Sequence, residues 1–174
     1  MAVIVVDVES DGPIPGDYSM ISFGAVRVDD ELDQTFFADL RPISDQWKPD
    51  DLAISGYSRE QTLTFEDPKT VMERFVDWIG EVSGPRAMFY SDNNGYDWSF
   101  INWYFYHFIG KNPFGFGSSN INSLYKGMVK DTFQSFRPLC KTKPDHNPLT
   151  DAMGNAEALL QMKTDLGLKI SFKR

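Results

Sequence analysis

The residues best suited to chemistry in this sequence are acids with one histidine beside them. Asp7 and Glu9 lie in VVDVES, Asp97 in NNGYDWSFI, and His146 and Asp151 in HNPLTDA. Asp7 and Glu9 are two apart in an apolar run, so on a strand both leave the same face, with Val6 and Val8 on the other. A carboxylate buried in such a strand is costly unless something compensates it, and two on one face repel. A divalent cation would resolve both problems; a strand end meeting solvent is the plainer alternative. Asp97 enters a helix from a loop, where a capping aspartate is the common explanation. Asp151 reads as a first-turn carboxylate behind Thr150 as N-cap, with His146 in the loop before it. Each signal is weak alone. A strand end and two loop-to-helix starts, however, are where α/β sheets build sites at their carboxyl edges. Together they point to an acidic cation site served by a histidine.

The elements that must position these residues are legible from periodicity. Residues 2–8 form a continuous apolar run, read as a buried central strand, and 20–28 with 33–40 flank a turn-like Asp29-Asp30-Glu31 as a hairpin. KPDDLAISGYSREQ reads as a short helical turn stopped by Gly56. Val71, Met72, Phe75, Val76 and Ile79 recur at helical spacing over 68–82, behind Asp67 or Pro68. A second buried strand is expected at 86–91 and an aromatic helix at about 96–109. A short strand is expected near Ile121, with helices over about 123–136 and 150–165. Three strands followed by alternating strands and helices give an α/β domain with a mixed sheet.

Composition bounds the rest. A length of 174 residues suits one compact domain, spanning 1–174, and 41% hydrophobic with 24% charged residues is ordinary for a globular chain. The lone Cys140 excludes an internal disulfide and fits a reducing, cytoplasmic setting. MAVIVVDVES lacks a basic leader segment and no apolar run approaches a membrane span, so neither signal peptide nor membrane partner is expected. The net charge of −8 argues against gripping duplex DNA over a broad basic face. It leaves room for a nucleic-acid enzyme whose acids gather at a metal site.

The ordered set Asp7, Glu9, Asp97, His146 and Asp151 resembles the DEDDh exonuclease family. VVDVESDG is similar to its first motif, Asp-x-Glu followed here by Ser10, NNGYDWSFI to its second, and HNPLTDA to its third, His-x4-Asp followed by Ala152. The segment KPDDLAISGYSREQ resembles the family's helix and Thr-Gly-Ile stretch, with Ser55 and Tyr57 in place of Thr and Ile. The first motif departs from the family at Asp11-Gly12-Pro13, where Gly-Leu is usual. Small stand-alone members such as ribonuclease T and oligoribonuclease are the nearest in form.

This resemblance implies a ribonuclease H-like α/β fold, a mixed central β-sheet flanked by α-helices. It also implies metal-dependent 3′–5′ hydrolysis of single-stranded nucleic acid. Two divalent cations, Mg²⁺ or Mn²⁺, about 3.5–4 Å apart would serve both ends of an in-line displacement. By the resemblance Asp7 bridges both ions, Glu9 and Asp151 complete one, Asp97 holds the other, and His146 is the general base. RNA is favoured over DNA because no DNA-directed domain is attached.

Weaker expectations concern substrate and partners. Ser10, Asn94 and Trp98 sit within or beside the motifs as candidate substrate contacts. Arg137, Lys141 and Lys143 concentrate positive charge in FRPLCKTKPDH just before His146, and the two lysines are candidate phosphate contacts beside a solvated-loop alternative. His107 reads as a packed or partly exposed helix residue, and its aromatic neighbours as core on one side and a homodimer face on the other. Two other classes compete. A phosphatase would want Asp at position 9, and a silent binding module on the same fold has no need of all five site residues.

Overall fold

The structure, a computed structural model, describes residues 2–84 and 86–170. Five strands run in the order β3-β2-β1-β4-β5: β1 (Ala2–Ser10), β2 (Met20–Arg27), β3 (Thr35–Asp39), β4 (Ala87–Ser91) and β5 (Ser118–Asn120). β1, β2 and β3 pair antiparallel, whereas β1–β4 and β4–β5 pair parallel, so the sheet is mixed as expected. The helices are α1 (Pro49–Ile54), α2 (Arg59–Thr62), α3 (Pro68–Ser83), α4 (Asn94–Tyr104), α5 (Ile121–Val129) and α6 (Pro148–Leu166).

The alternation along β1 decides where its acids point. Ile4, Val6 and Val8 join the core beneath α3 and α4, packed with Phe23, Phe75, Phe89 and Phe100. Val3 and Val5 face the opposite core beneath α5 and α6, with Ile121, Ala152, Ala156 and Leu159. Asp7 and Glu9 share the parity of Val3 and Val5, so they emerge on the α6 side. Because β1 and β4 are parallel, their carboxyl ends leave the sheet along one edge, with the start of α4 beside them.

α6 reaches that edge through a close approach. Gly24 pairs with Asp7 in the β1–β2 register. A Cβ there would lie 2.4 Å from the Leu149 backbone nitrogen and 2.6 Å from the Pro148 carbonyl carbon. Only glycine lets the first turn of α6 rest directly on β2. Ala152 and Ala156 continue the same economy of volume along the helix, and both are fully buried.

Three boundaries differ from the sequence reading. α6 begins at Pro148 with Asn147 as its cap rather than Thr150, since Pro at the first helical position has no amide to satisfy. The aromatic helix divides into α4 and a single π-helical stretch over Phe105–Ile109, which the left-handed Gly110 ends. α5 stops at Val129, where Lys130 takes a left-handed conformation, and residues 130–136 are turn and irregular backbone rather than helix. Within the aromatic segment Phe100, Ile101, Tyr104 and Phe105 are buried in the core, while His107 is exposed and stacks on Trp103 at 4.3 Å.

Candidate active site

The carboxyl edge of the sheet opens into a cleft of about 560 Å³ lined by all five anticipated residues, Asp7, Glu9, Asp97, His146 and Asp151. Their polar atoms fall into two groups. Carboxylate oxygens of Asp7, Asp92 and Asp97 all lie within 4.8 Å of one another, and so do ligand atoms of Glu9, His146 and Asp151. A cavity of about 470 Å³ around Phe114–Ser119 contains neither an acid nor a histidine, so it lacks this chemistry.

Crowding has electrostatic consequences. Asp97 is 2% exposed and its Oδ2 has no hydrogen-bond partner. Burial, followed by the charge of Asp92, holds its carboxyl well above the usual range. Asp7 is displaced the same way, by burial first and then by Asp97, Asp92, Asp151 and Glu9. Burial and the neighbouring Asp151 push Glu9 up to about 7. Asp151 is also raised, chiefly by burial. Carboxylates gathered this closely call for positive charge.

His146 is held by the turn into α6. Asn147 caps the helix, accepting from the amides of Leu149 and Thr150 at 3.0 and 3.2 Å. The Asp145 amide donates to Asp151 Oδ1 at 3.0 Å, folding the loop back onto the first helical turn. Between them His146 adopts φ +64°, a left-handed conformation that histidine enters more readily than most side chains. Its ring is 66% exposed, with Nδ1 3.8 Å from Glu9 Oε1. The imidazole therefore stands at the cleft wall, open to solvent and beside an acid.

The anticipated substrate contacts are placed differently. Ser10 lines the cleft, but its hydroxyl donates to the Gly12 carbonyl at 2.5 Å and shares a hydrogen bond with the Tyr96 hydroxyl. It braces the lip of the cleft. Asn94 turns away, its amide donating to Ser118 Oγ at 2.9 Å, and Asn93 lines the cleft instead. Trp98 packs edge-on against Phe89 at 5.1 Å on the core side. Lys141 lines a separate hollow with Glu31 and Glu157, and Lys143 donates to the Cys140 carbonyl at 3.3 Å. From that loop it is Arg137, Pro144 and His146 that line the cleft.

Asp92 is the residue the sequence reading missed. It follows β4 directly, as Glu9 lies in the last two residues of β1, and a polar residue just beyond a buried strand at the shared edge was the available signal. In SDNNG it reads as an ordinary turn residue.

No family model matches the chain. The 3′-5′ DNA exonuclease Cap18 of Escherichia coli is 38% identical over 164 residues, covering 88% of this chain and 87% of that protein. The chain belongs to the DEDD-type 3′–5′ exonucleases. The fold agrees with this family. It superposes on the cell-death related nuclease CRN-4 with a TM-score of 0.76 at 15% identity, covering 94% of this chain and 64% of that one. Exonuclease I of E. coli, solved with a dT13 oligonucleotide, gives 0.72 at 14% identity, covering 95% and 41%. A full-length 3′-exonuclease gives 0.75 at 18% identity, covering 94% and 82%. This exonuclease chain thus corresponds to under two thirds of CRN-4 and under half of exonuclease I, and its architecture is the ribonuclease H-like one those chains share.

Proposed function

We propose that this chain is a metal-dependent exonuclease of the DEDDh type that removes nucleotides from the 3′ ends of single-stranded DNA. The observation that carries the reading is the pair of oxygen-rich groups facing one open cleft. The donors fit hard divalent ions such as Mg²⁺ or Mn²⁺, which take carboxylate oxygens and keep several waters. The unpartnered Oδ2 of buried Asp97 is the kind of atom a cation completes.

Asp7, Asp92 and Asp97 would hold one ion, and Glu9 and Asp151 a second. When bound, two such ions supply positive charge at the attacking and leaving oxygens of an in-line displacement.

The protein side chains do the remaining work. His146, its ring exposed at the cleft wall, accepts a proton from the attacking water. Water oxygen bonds to phosphorus, the bond from phosphorus to the 3′ oxygen breaks, and the terminal nucleotide leaves with its 5′ phosphate. The shortened strand regains its 3′ hydroxyl with a proton from solvent. Ser10, tied to Tyr96 and Gly12, keeps the lip of the cleft in place during this exchange.

RNA is the substrate expected from the sequence. A relative 38% identical that is named a DNA exonuclease supports DNA instead. The test is kcat/KM on DNA and RNA oligomers of one sequence, each labelled at the 5′ end, with Mg²⁺. DNA should be the better substrate. Faster removal of ribonucleotides would overturn the choice of DNA and leave the nuclease assignment standing.

A further inference from the structure

Asp92 differs from the other acids of the cleft because it already has a cationic partner. Its Oδ2 accepts a hydrogen bond from Arg137 Nη2. The Asp92 side chain is 11% exposed, whereas that of Arg137 is 47% exposed and leans over the Phe136 ring. Both residues line the cleft, and Asp92 belongs to the group formed with Asp7 and Asp97. A guanidinium does not lose its proton at working pH. Arg137 therefore places a permanent positive charge where an incoming cation must compete for Asp92.

We propose that Arg137 exchanges partners, holding Asp92 in the free protein and a substrate phosphate once a cation takes Asp92, so that cation and strand binding are coupled through one ion pair. The inference rests on the nuclease reading above. A planar guanidinium fork matches carboxylate and phosphate alike, so both ends of the exchange offer charge-assisted hydrogen bonds. An ion pair with a half-exposed arginine is cheap to open. The loop's other basic side chains do not compete for the role, since neither Lys141 nor Lys143 lines the cleft.

The test is a double-mutant cycle on the full chain, using Asp92→Asn, Arg137→Gln and the two combined. One measurement is affinity for a fluorescent dT oligomer in EDTA. The other is Mn²⁺ binding without DNA, followed by electron paramagnetic resonance. Asp92→Asn frees Arg137 and should tighten oligomer binding about tenfold, the size of one charge-assisted contact. In the Arg137→Gln background the same change should give about twofold or less, the residue of lost repulsion alone. Arg137→Gln by itself should strengthen Mn²⁺ binding in the free protein and weaken oligomer binding.

An equal gain from Asp92→Asn in both backgrounds would overturn the exchange, as would Mn²⁺ affinity unchanged or lowered by Arg137→Gln. If the pair only fastens the loop to β4, both single variants should lose oligomer affinity and melting temperature together, which also overturns it. Arg137 variants keep the fold at a half-exposed position, so the Mn²⁺ arm stands even where Asp92→Asn is unstable. A wild-type protein that binds no oligomer in EDTA or in Mn²⁺ would strike the nuclease reading itself, and this inference with it.

Discussion

Stripped of cations, this protein should lose stability as the pH rises above 5.5, because its site acids prefer to stay protonated. Glu9 makes the magnitude workable. Burial and Asp151 raise its carboxyl from 4.5 to about 7, so the folded protein holds that proton more tightly than the unfolded chain. Its contribution is fully present below 4.5 and is lost as the pH climbs through about 7. At about 1.36 kcal/mol per pH unit that rise amounts to about 3.4 kcal/mol. The side chain is 13% exposed on an open cleft, and solvent screening lowers the figure to about 2 kcal/mol. Somewhat over half of that falls between pH 5.5 and pH 8, which for a chain of this length is about 2–5 °C in melting temperature.

Calorimetry in EDTA at half-unit steps reads it directly. Glu9→Gln should remove this share of the slope and leave a remainder from Asp7 and Asp97, which are displaced the same way. Saturating Mg²⁺ should restore the stability lost at pH 8. A wild-type melting temperature that stays level or rises from pH 5.5 to 8 in EDTA would refute the electrostatic reasoning. So would a Glu9→Gln variant with the full wild-type slope.

Asp97→Asn should abolish hydrolysis and flatten the fall of melting temperature with pH in EDTA, since it removes a carboxyl whose ionisation burial opposes; unchanged turnover would remove Asp97 from the site. His146→Ala should lower kcat by roughly 10²–10⁴ with the Mg²⁺-induced rise in melting temperature kept, whereas His107→Ala should barely alter kcat. Equal activity in the two histidine variants would show that His146 is not the base. Gly24→Ala should push the start of α6 off β2, costing about 1–3 kcal/mol in denaturant titrations and lowering kcat as His146 and Asp151 move. Wild-type stability in that variant would mean the helix yields without strain.

Much of the fold was legible because its signals are local. The unbroken run Val3–Val6 can only be a strand covered on both faces, and Val71, Phe75 and Ile79 can only be one buried helix stripe. The four acids and the histidine converge as expected, since strand ends and helix starts at one edge leave them little choice. What failed was direction and partnership. Lys141, Lys143 and Arg137 share a short basic loop, and sequence does not say that only the arginine turns inward. Asn93 and Asn94 are neighbours of one type, separated by which way the first turn of α4 faces. The π-helical stretch at Phe105–Ile109 carries no motif in the sequence. Asp92 looked like a turn residue because its meaning depends on Asp7 and Asp97, which only the parallel pairing of β1 with β4 brings to it.

The most direct measurement is the product ladder from a single-stranded DNA oligomer labelled at its 5′ end, run with Mg²⁺ and with excess EDTA. With Mg²⁺ the labelled strand should shorten one nucleotide at a time from its 3′ end, releasing nucleoside 5′-monophosphates, and in EDTA it should remain intact. Immediate release of a labelled mononucleotide, internal cuts, or an undiminished ladder in EDTA would contradict a cation-dependent 3′–5′ exonuclease.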